Sequence, residues 1–116
     1  MASSGLNDWT SQLRRGVLEL CILQVLSRDP SYGYEIVTTL GALGPLAAGE
    51  NTVYPLLRRL KADRLLDTFT RESPAGPARQ YYRLTPDGKK RLLALEKEWT
   101  AVVDAVAQCM RKGDMS

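Results

Sequence analysis

Apolar residues recur along this chain at spacings that separate helix from strand. From Leu13 to Leu26, Leu18, Cys21, Ile22, Val25 and Leu26 form one stripe, and Leu13, Val17, Leu20 and Gln24 form another. A helix apolar on most of its circumference must be covered on most sides. One stripe suits the chain's own core, and the other needs further cover such as a second subunit. Residues 1–10 read as a polar start, in which Trp9 is ill suited to full exposure. Asp29-Pro30 stops the first helix in a turn. A second helix is expected from Ser31, a good N-cap with Glu35 favouring the helix start, to Gly41, with Tyr32, Ile36, Val37 and Leu40 turned inward. After a short loop over 44–49, a third helix is expected from Asn51 or Thr52 to Asp63, with Val53, Leu56, Leu57 and Leu60 on its buried face. Thr52 as its N-cap would make Pro55 tolerable, because the first N–H groups of a helix have no internal acceptor.

The period then changes. Leu65–Arg71 and Gln80–Leu84 carry β-forming residues, and Glu72-Ser73-Pro74-Ala75-Gly76-Pro77-Ala78 between them reads as a hairpin tip. Thr85-Pro86-Asp87 opens a last helix, with threonine as cap, proline at the first helical position and an acid in the first turn. It is expected to run to about Lys112, ~40 Å at 1.5 Å per residue. Leu92, Trp99 and Val106 are seven apart, and so are Leu95, Val102 and Cys109; together they alternate as the a and d positions of a coiled coil. These six residues are the expected dimer interface, because a long helix leaving a small domain has little of its own chain to pack on. Three helices, two strands with a Pro/Gly tip and a long helix make a mostly α (α+β) winged helix-turn-helix. Residues 11–85 would form the reading domain and residues 86–112 a C-terminal dimerisation helix.

Charge sharpens this picture. Residues 50–91 hold ten Lys/Arg and five Asp/Glu, a net +5, while the rest of the chain is −2. A basic middle between acidic flanks suits a polyanionic partner. The chain has no histidine and two cysteines, Cys21 and Cys109, so a His/Cys zinc site and the usual Ser-His or Cys-His pairs cannot be built. No cofactor, metal or catalytic constellation is expected. No stretch of 18 apolar residues and no signal-peptide pattern is present, so a cytoplasmic location is expected. The cysteines read as apolar packing residues, with Cys109 the better candidate for a redox role.

Five segments carry a resemblance in this order and spacing: Leu13-Arg14-Arg15-Gly16-Val17-Leu18-Glu19-Leu20, Tyr32-Gly33-Tyr34-Glu35-Ile36, Thr52-Val53-Tyr54-Pro55-Leu56-Leu57-Arg58-Arg59-Leu60, Gly76-Pro77-Ala78-Arg79-Gln80-Tyr81-Tyr82-Arg83-Leu84-Thr85 and Glu98-Trp99. Together they resemble PadR-type bacterial transcriptional regulators, in particular the short subgroup with one C-terminal helix. The resemblance implies a sequence-specific DNA-binding regulator, a repressor released by a small hydrophobic or aromatic effector, acting as a homodimer on a palindromic operator. It implies a third helix in the major groove, with Asn51, Thr52 and Tyr54 near bases or backbone and Arg58, Arg59 and Lys61 near phosphates or bases. Tyr34 would reach a phosphate, and Arg71 and Arg79 would act from the wing. In drug-binding relatives a tryptophan at the place of Trp99 stacks on flat ligands at the dimer centre; Trp9 and Val102 would line the same space. A winged helix used only for protein–protein contact is the alternative. Two departures stand out: Arg64 occupies a position that is usually glycine, and Glu50 stands at the DNA-facing end of the third helix, where it would repel phosphate unless turned away.

Overall fold

The computed structural model describes residues 2–115. Its elements are α1 (Ala2–Arg28), β1 (Ser31–Tyr32), α2 (Gly33–Gly41), a 3-10 turn (Gly44–Leu46), α3 (Glu50–Ala62), β2 (Leu66–Ser73), β3 (Gly76–Leu84) and α4 (Pro86–Met115). The order matches a winged helix-turn-helix followed by a long helix. Leu18, Ile22, Leu23 and Leu26 of α1, Ile36 and Leu40 of α2, Ala48 of the loop before α3, Val53, Leu57 and Leu60 of α3, Leu66 of β2 and Leu92 of α4 form one buried core. Each large side chain among them is worth ~1.5–3 kcal/mol of burial. That core fixes α3 with its 53/57/60 face inward and its opposite face to solvent.

Four local features differ from the sequence expectation, each for a physical reason. Helix α1 begins at Ala2 rather than near Leu13. Its early apolar residues Leu6, Trp9 and Leu13 lie exposed at helical spacing and continue into the half-buried Val17 and Leu20. Met1 lies outside the described residues. Ser31 is not the N-cap of α2: it pairs with Tyr82 in a two-residue strand, and Tyr32 takes the cap position. The Ser31 hydroxyl donates to Glu35 Oε1 at 2.5 Å instead of capping a backbone N–H. The sheet is therefore three-stranded, in the order β1-β3-β2. Helix α3 begins at Glu50 with Gly49 as cap, whose carbonyl accepts from both Thr52 N–H (3.1 Å) and Val53 N–H (3.0 Å). Thr52 is then inside the helix, and Pro55 sits where it removes the bond to the Asn51 carbonyl. Lastly, pairing runs up to Ser73↔Gly76, with an irregularity between Arg71 and Ser73, so the hairpin tip is only Pro74-Ala75.

The junction of α3, β2 and α4 is tightly specified. Arg64 adopts φ 62°, the left-handed region in which a Cβ costs ~1–2 kcal/mol. It does so because the end of α3 closes as a Schellman turn: Leu65 N–H donates to Leu60 O and Arg64 N–H to Lys61 O, both at 3.0 Å. The Thr85 hydroxyl donates to the Arg64 carbonyl (2.7 Å) and accepts from Gly88 N–H (2.9 Å), so Thr85 caps α4 as expected while tying it to the strained turn. A Cβ on Gly88 would lie 2.1 Å from the Leu65 carbonyl oxygen. Only glycine lets the first turn of α4 come so close to the start of β2.

Candidate nucleic-acid interface

The solvent face of α3 presents Asn51, Pro55, Arg58 and Lys61, all exposed, with Tyr54 half-buried at its edge. Tyr54 reaches toward the sheet. With Tyr32, Gly33, Tyr34, Arg79, Gln80 and Tyr82 it lines a cleft of about 480 Å³. Gly33 makes room for it, because a Cβ there would lie 2.7 Å from the Tyr54 ring. Burial pushes the Tyr82 hydroxyl above its ordinary pKa; the neighbouring Tyr54 adds to this and Arg58 opposes it. Tyr82 therefore stays protonated and able to donate at neutral pH. The cleft thus collects phenolic hydroxyls and one guanidinium between α2, α3 and the wing, a set of donors suited to phosphate oxygens.

Two residues of α3 face elsewhere. Thr52 lines a hollow with Ser11, Arg14, Arg15 and Leu18 of α1. The Arg59 Nη2 group donates to Glu19 Oε1 at 3.1 Å, so this cation is occupied within the chain while Arg58 stays on the open face. Glu50, in the first turn of α3, is exposed, where its charge favours the helix start.

The wing carries an arginine–aromatic ladder on its outer face. Phe69 and Tyr81 are cross-strand partners with stacked rings 5.6 Å apart, and Tyr32 meets Tyr81 edge-on at 5.4 Å. The Arg71 guanidinium lies 4.5 Å from the Tyr81 ring centre, Arg79 4.5 Å from Tyr32 and Arg83 4.8 Å from Phe69. Arg83 also pairs with Asp67 at 3.3 Å. Arg71 and Arg79 are direct cross-strand partners, and two like charges there would repel. The rings beneath hold them, each exposed contact being worth ~0.5–1 kcal/mol. The sequence reading missed this ladder, along with Tyr82 and Gln80 of the cleft. Strand alternation with an odd-numbered Phe69, Arg71, Arg79, Tyr81 and Arg83 was the available signal.

Away from these surfaces, Trp99 is 41% exposed and stands between two apolar grooves. One, about 370 Å³, is lined by Leu13, Gly16, Val17, Leu20, Leu95 and Val102 with Trp99. The other, about 450 Å³, includes Leu20, Cys21, Val25 and Leu43 with Trp99. Trp99 and Val102 thus share a groove, whereas Trp9, itself exposed on α1, lines neither. Of the expected interface residues, Trp99, Val102, Val106 and Cys109 are exposed and Leu95 is half-buried. Leu92 is instead 6% exposed within the chain's own core, because it faces inward as α4 leaves the sheet. Cys21 is half-buried, and burial pushes its thiol pKa up. Among the described residues no group of three His, Cys, Asp or Glu could hold a metal ion, and no helix is long and apolar enough to cross a membrane.

A helix-turn-helix with an outward basic face, a basic wing and a long trailing helix defines the chain as a winged-helix protein of the DNA-binding class. A family profile described as "Transcriptional regulator PadR-like family" matches residues 22–94, and the chain belongs to that family. Its members are transcriptional regulators and not enzymes. The structure is similar to a PadR family transcriptional regulator from Eggerthella lenta DSM 2243, with a TM-score of 0.81 and 33% identity over 94% of this chain and 95% of that one. It is also similar to a PadR-like transcriptional regulator from Bacillus cereus strain ATCC 14579, with a TM-score of 0.78 and 35% identity over 85% of this chain and 96% of that one. Bacillus subtilis PadR in complex with operator DNA matches at a TM-score of 0.61 and 27% identity, over 68% of this chain and 46% of that one.

Proposed function

We propose that this protein is a homodimeric repressor, acting in the cytoplasm, that reads a palindromic operator through α3 and the wing and is released by a small flat hydrophobic or aromatic effector. The observation that carries the reading is that the exposed cations of α3 (Arg58 and Lys61), the tyrosine cleft and the wing arginines form the polar surface, while the large exposed apolar residues other than Tyr34 lie on α1 and α4. Asn51 and Tyr54 face bases or backbone, Tyr34 and Tyr82 add hydroxyls for phosphate, and Arg71 and Arg79 reach along the adjacent groove. Residues 11–85 form the reading unit and 86–112 the dimerisation helix, whose root Leu92 pins to the reading unit. The operator complex of the Bacillus subtilis relative supports a DNA partner for this chain too.

The test is a titration of duplex from the protein's own promoter against salt. If the dimer neutralises roughly six to ten phosphates, log K falls with log salt at a slope of about −5 to −9. Arg58→Ala is expected to weaken binding and to remove about one unit of slope per protomer contact. Parent-like binding by Arg58→Ala would show that the wrong face of α3 has been assigned. No retardation by the parent at any salt would favour a protein-interaction role.

For the effector, the carrying observation is Trp99 between two open apolar grooves. A flat ring stacked on it gains about 0.5–1.5 kcal/mol beyond area burial. DNA is released only if the ligand binds the DNA-incompetent arrangement more tightly. In a Trp9→Phe background, which leaves Trp99 as the sole tryptophan, a planar aromatic ligand is expected to quench fluorescence. The Trp99→Leu protein should still bind DNA and lose the ligand response. Unchanged fluorescence with a broad panel of such compounds would remove Trp99 from the effector site.

A further inference from the structure

Three helices meet on one carboxylate. Glu19 of α1 is only 12% exposed; its Oε1 accepts from Arg59 Nη2 of α3 at 3.1 Å and its Oε2 from Arg91 Nε of α4 at 2.7 Å. The Arg91 pKa is raised first by its hydrogen bond to Glu19 and then by the carboxylate's charge. We propose that Glu19 is a positioning residue for DNA recognition, which holds the reading helix in register with the two long helices through Arg59 and Arg91. The proposal rests on α3 being the reading helix.

The geometry makes a simple stabilising pair an incomplete description. Each carboxylate oxygen serves a different helix, so neither arginine can shift along its helix axis without stretching a charge-assisted bond. Arg59 and Arg91 are both about half exposed, so their far sides remain hydrated while Glu19 is largely shielded; the carboxylate is the anchored member. The residue after Glu19, Leu20, lines both grooves that flank Trp99, and Leu95, one turn beyond Arg91, lines one of them. A change in the separation of α1 and α4 at those grooves therefore acts directly on the carboxylate that holds α3. Sequence readout needs α3 in one orientation to the bases, whereas attachment to the phosphate backbone tolerates several. Loss of Glu19 should thus be felt on the operator and hardly at all on unrelated DNA.

The experiment uses full-length protein, duplex from its own promoter and a scrambled duplex of equal length. Glu19→Gln, which keeps the shape and removes the charge, is expected to bind the promoter duplex about five- to twentyfold more weakly, with binding to the scrambled duplex changed by less than twofold and the salt slope unchanged. Arg59→Gln should show the same signature, and the double variant should be no weaker than either single one, as expected for two residues that act as a unit. Arg59→Lys, which keeps the charge, should recover part of the loss. Parent-like promoter binding by Glu19→Gln overturns the proposal. So does an equal loss on both duplexes, which would mark a purely structural role. Loss of about one unit of salt slope in Arg59→Gln also overturns it, because Arg59 would then be touching phosphate. A parent that prefers neither duplex defeats the DNA-reading assignment itself, whereas failure of the variants beside a discriminating parent defeats this proposal alone.

Discussion

Replacing Val102 and Val106 together by glutamate is expected to yield a folded monomer that binds promoter DNA at least a hundredfold more weakly than the parent. Both side chains lie on α4 and are 44% and 52% exposed, so their replacement leaves the core of the single chain untouched. In the proposed dimer they are covered by a second copy, and burial of each large apolar side chain is worth ~1.5–3 kcal/mol. Four such side chains per dimer are lost, and four carboxylates would be forced into an apolar seam. Two linked reading helices bind two half-sites with an avidity gain on the order of 10²–10⁴, which a monomer forfeits. These point variants are cleaner than a truncation after Lys90, which would also remove Leu92 from the core and Arg91 from Glu19. Sedimentation and a gel shift read the result, with circular dichroism confirming the fold. A variant that still sediments as a stable dimer would move the interface to the exposed early turns of α1, where Leu6, Trp9 and Leu13 lie.

Gly88→Ala should lower stability by about 3 kcal/mol and the melting temperature by ~10 °C or more. Helix propensity argues the other way, since alanine is ~1 kcal/mol better than glycine inside a helix. Contact decides the sign. A Cβ would meet the Leu65 carbonyl oxygen at 2.1 Å and its carbonyl carbon at 3.2 Å, and both are backbone atoms. Leu65 cannot retreat, because its carbonyl also accepts Thr85 N–H at 3.1 Å and its own N–H closes the turn after α3. The first turn of α4 must therefore lift away from β2, which breaks the Thr85 cap. A melting temperature equal to or above the parent's would mean that α4 can be displaced cheaply, and the rigid link between wing and long helix would fall with it.

The parts of this fold that were legible are those written in local chemistry. Thr85-Pro86-Asp87 marks the start of α4 and does cap it. The Pro/Gly-rich stretch marks the hairpin, though pairing continues to Ser73↔Gly76 and leaves only Pro74-Ala75 at the tip. At position 64, where the family resemblance implies a glycine, Arg64 takes the left-handed conformation with its Cβ in place. Of the 53/56/57/60 stripe, Val53, Leu57 and Leu60 are buried and Leu56 is half-buried against the core. What stayed hidden depends on residues distant in the chain. Glu19 finds its partners 40 and 72 positions away, which no periodicity announces. Arg58 and Arg59 are adjacent and alike in sequence, yet 100° of helical rotation sends one to solvent and the other to Glu19. Strand β1 is two residues long and exists only because β3 is there to pair with it. Leu92 fits the heptad as well as Val106 does, but it lies close enough to the sheet to join the core.

Hydroxyl-radical footprinting on the protein's own promoter shows whether a dimer presents two α3 helices to DNA. A dimer is expected to protect two half-sites related by a dyad, with centres about one helical turn, ~34 Å, or somewhat more apart, appearing together as protein is added. Protection of one isolated half-site by a monomer, or even protection without sequence preference, would contradict it.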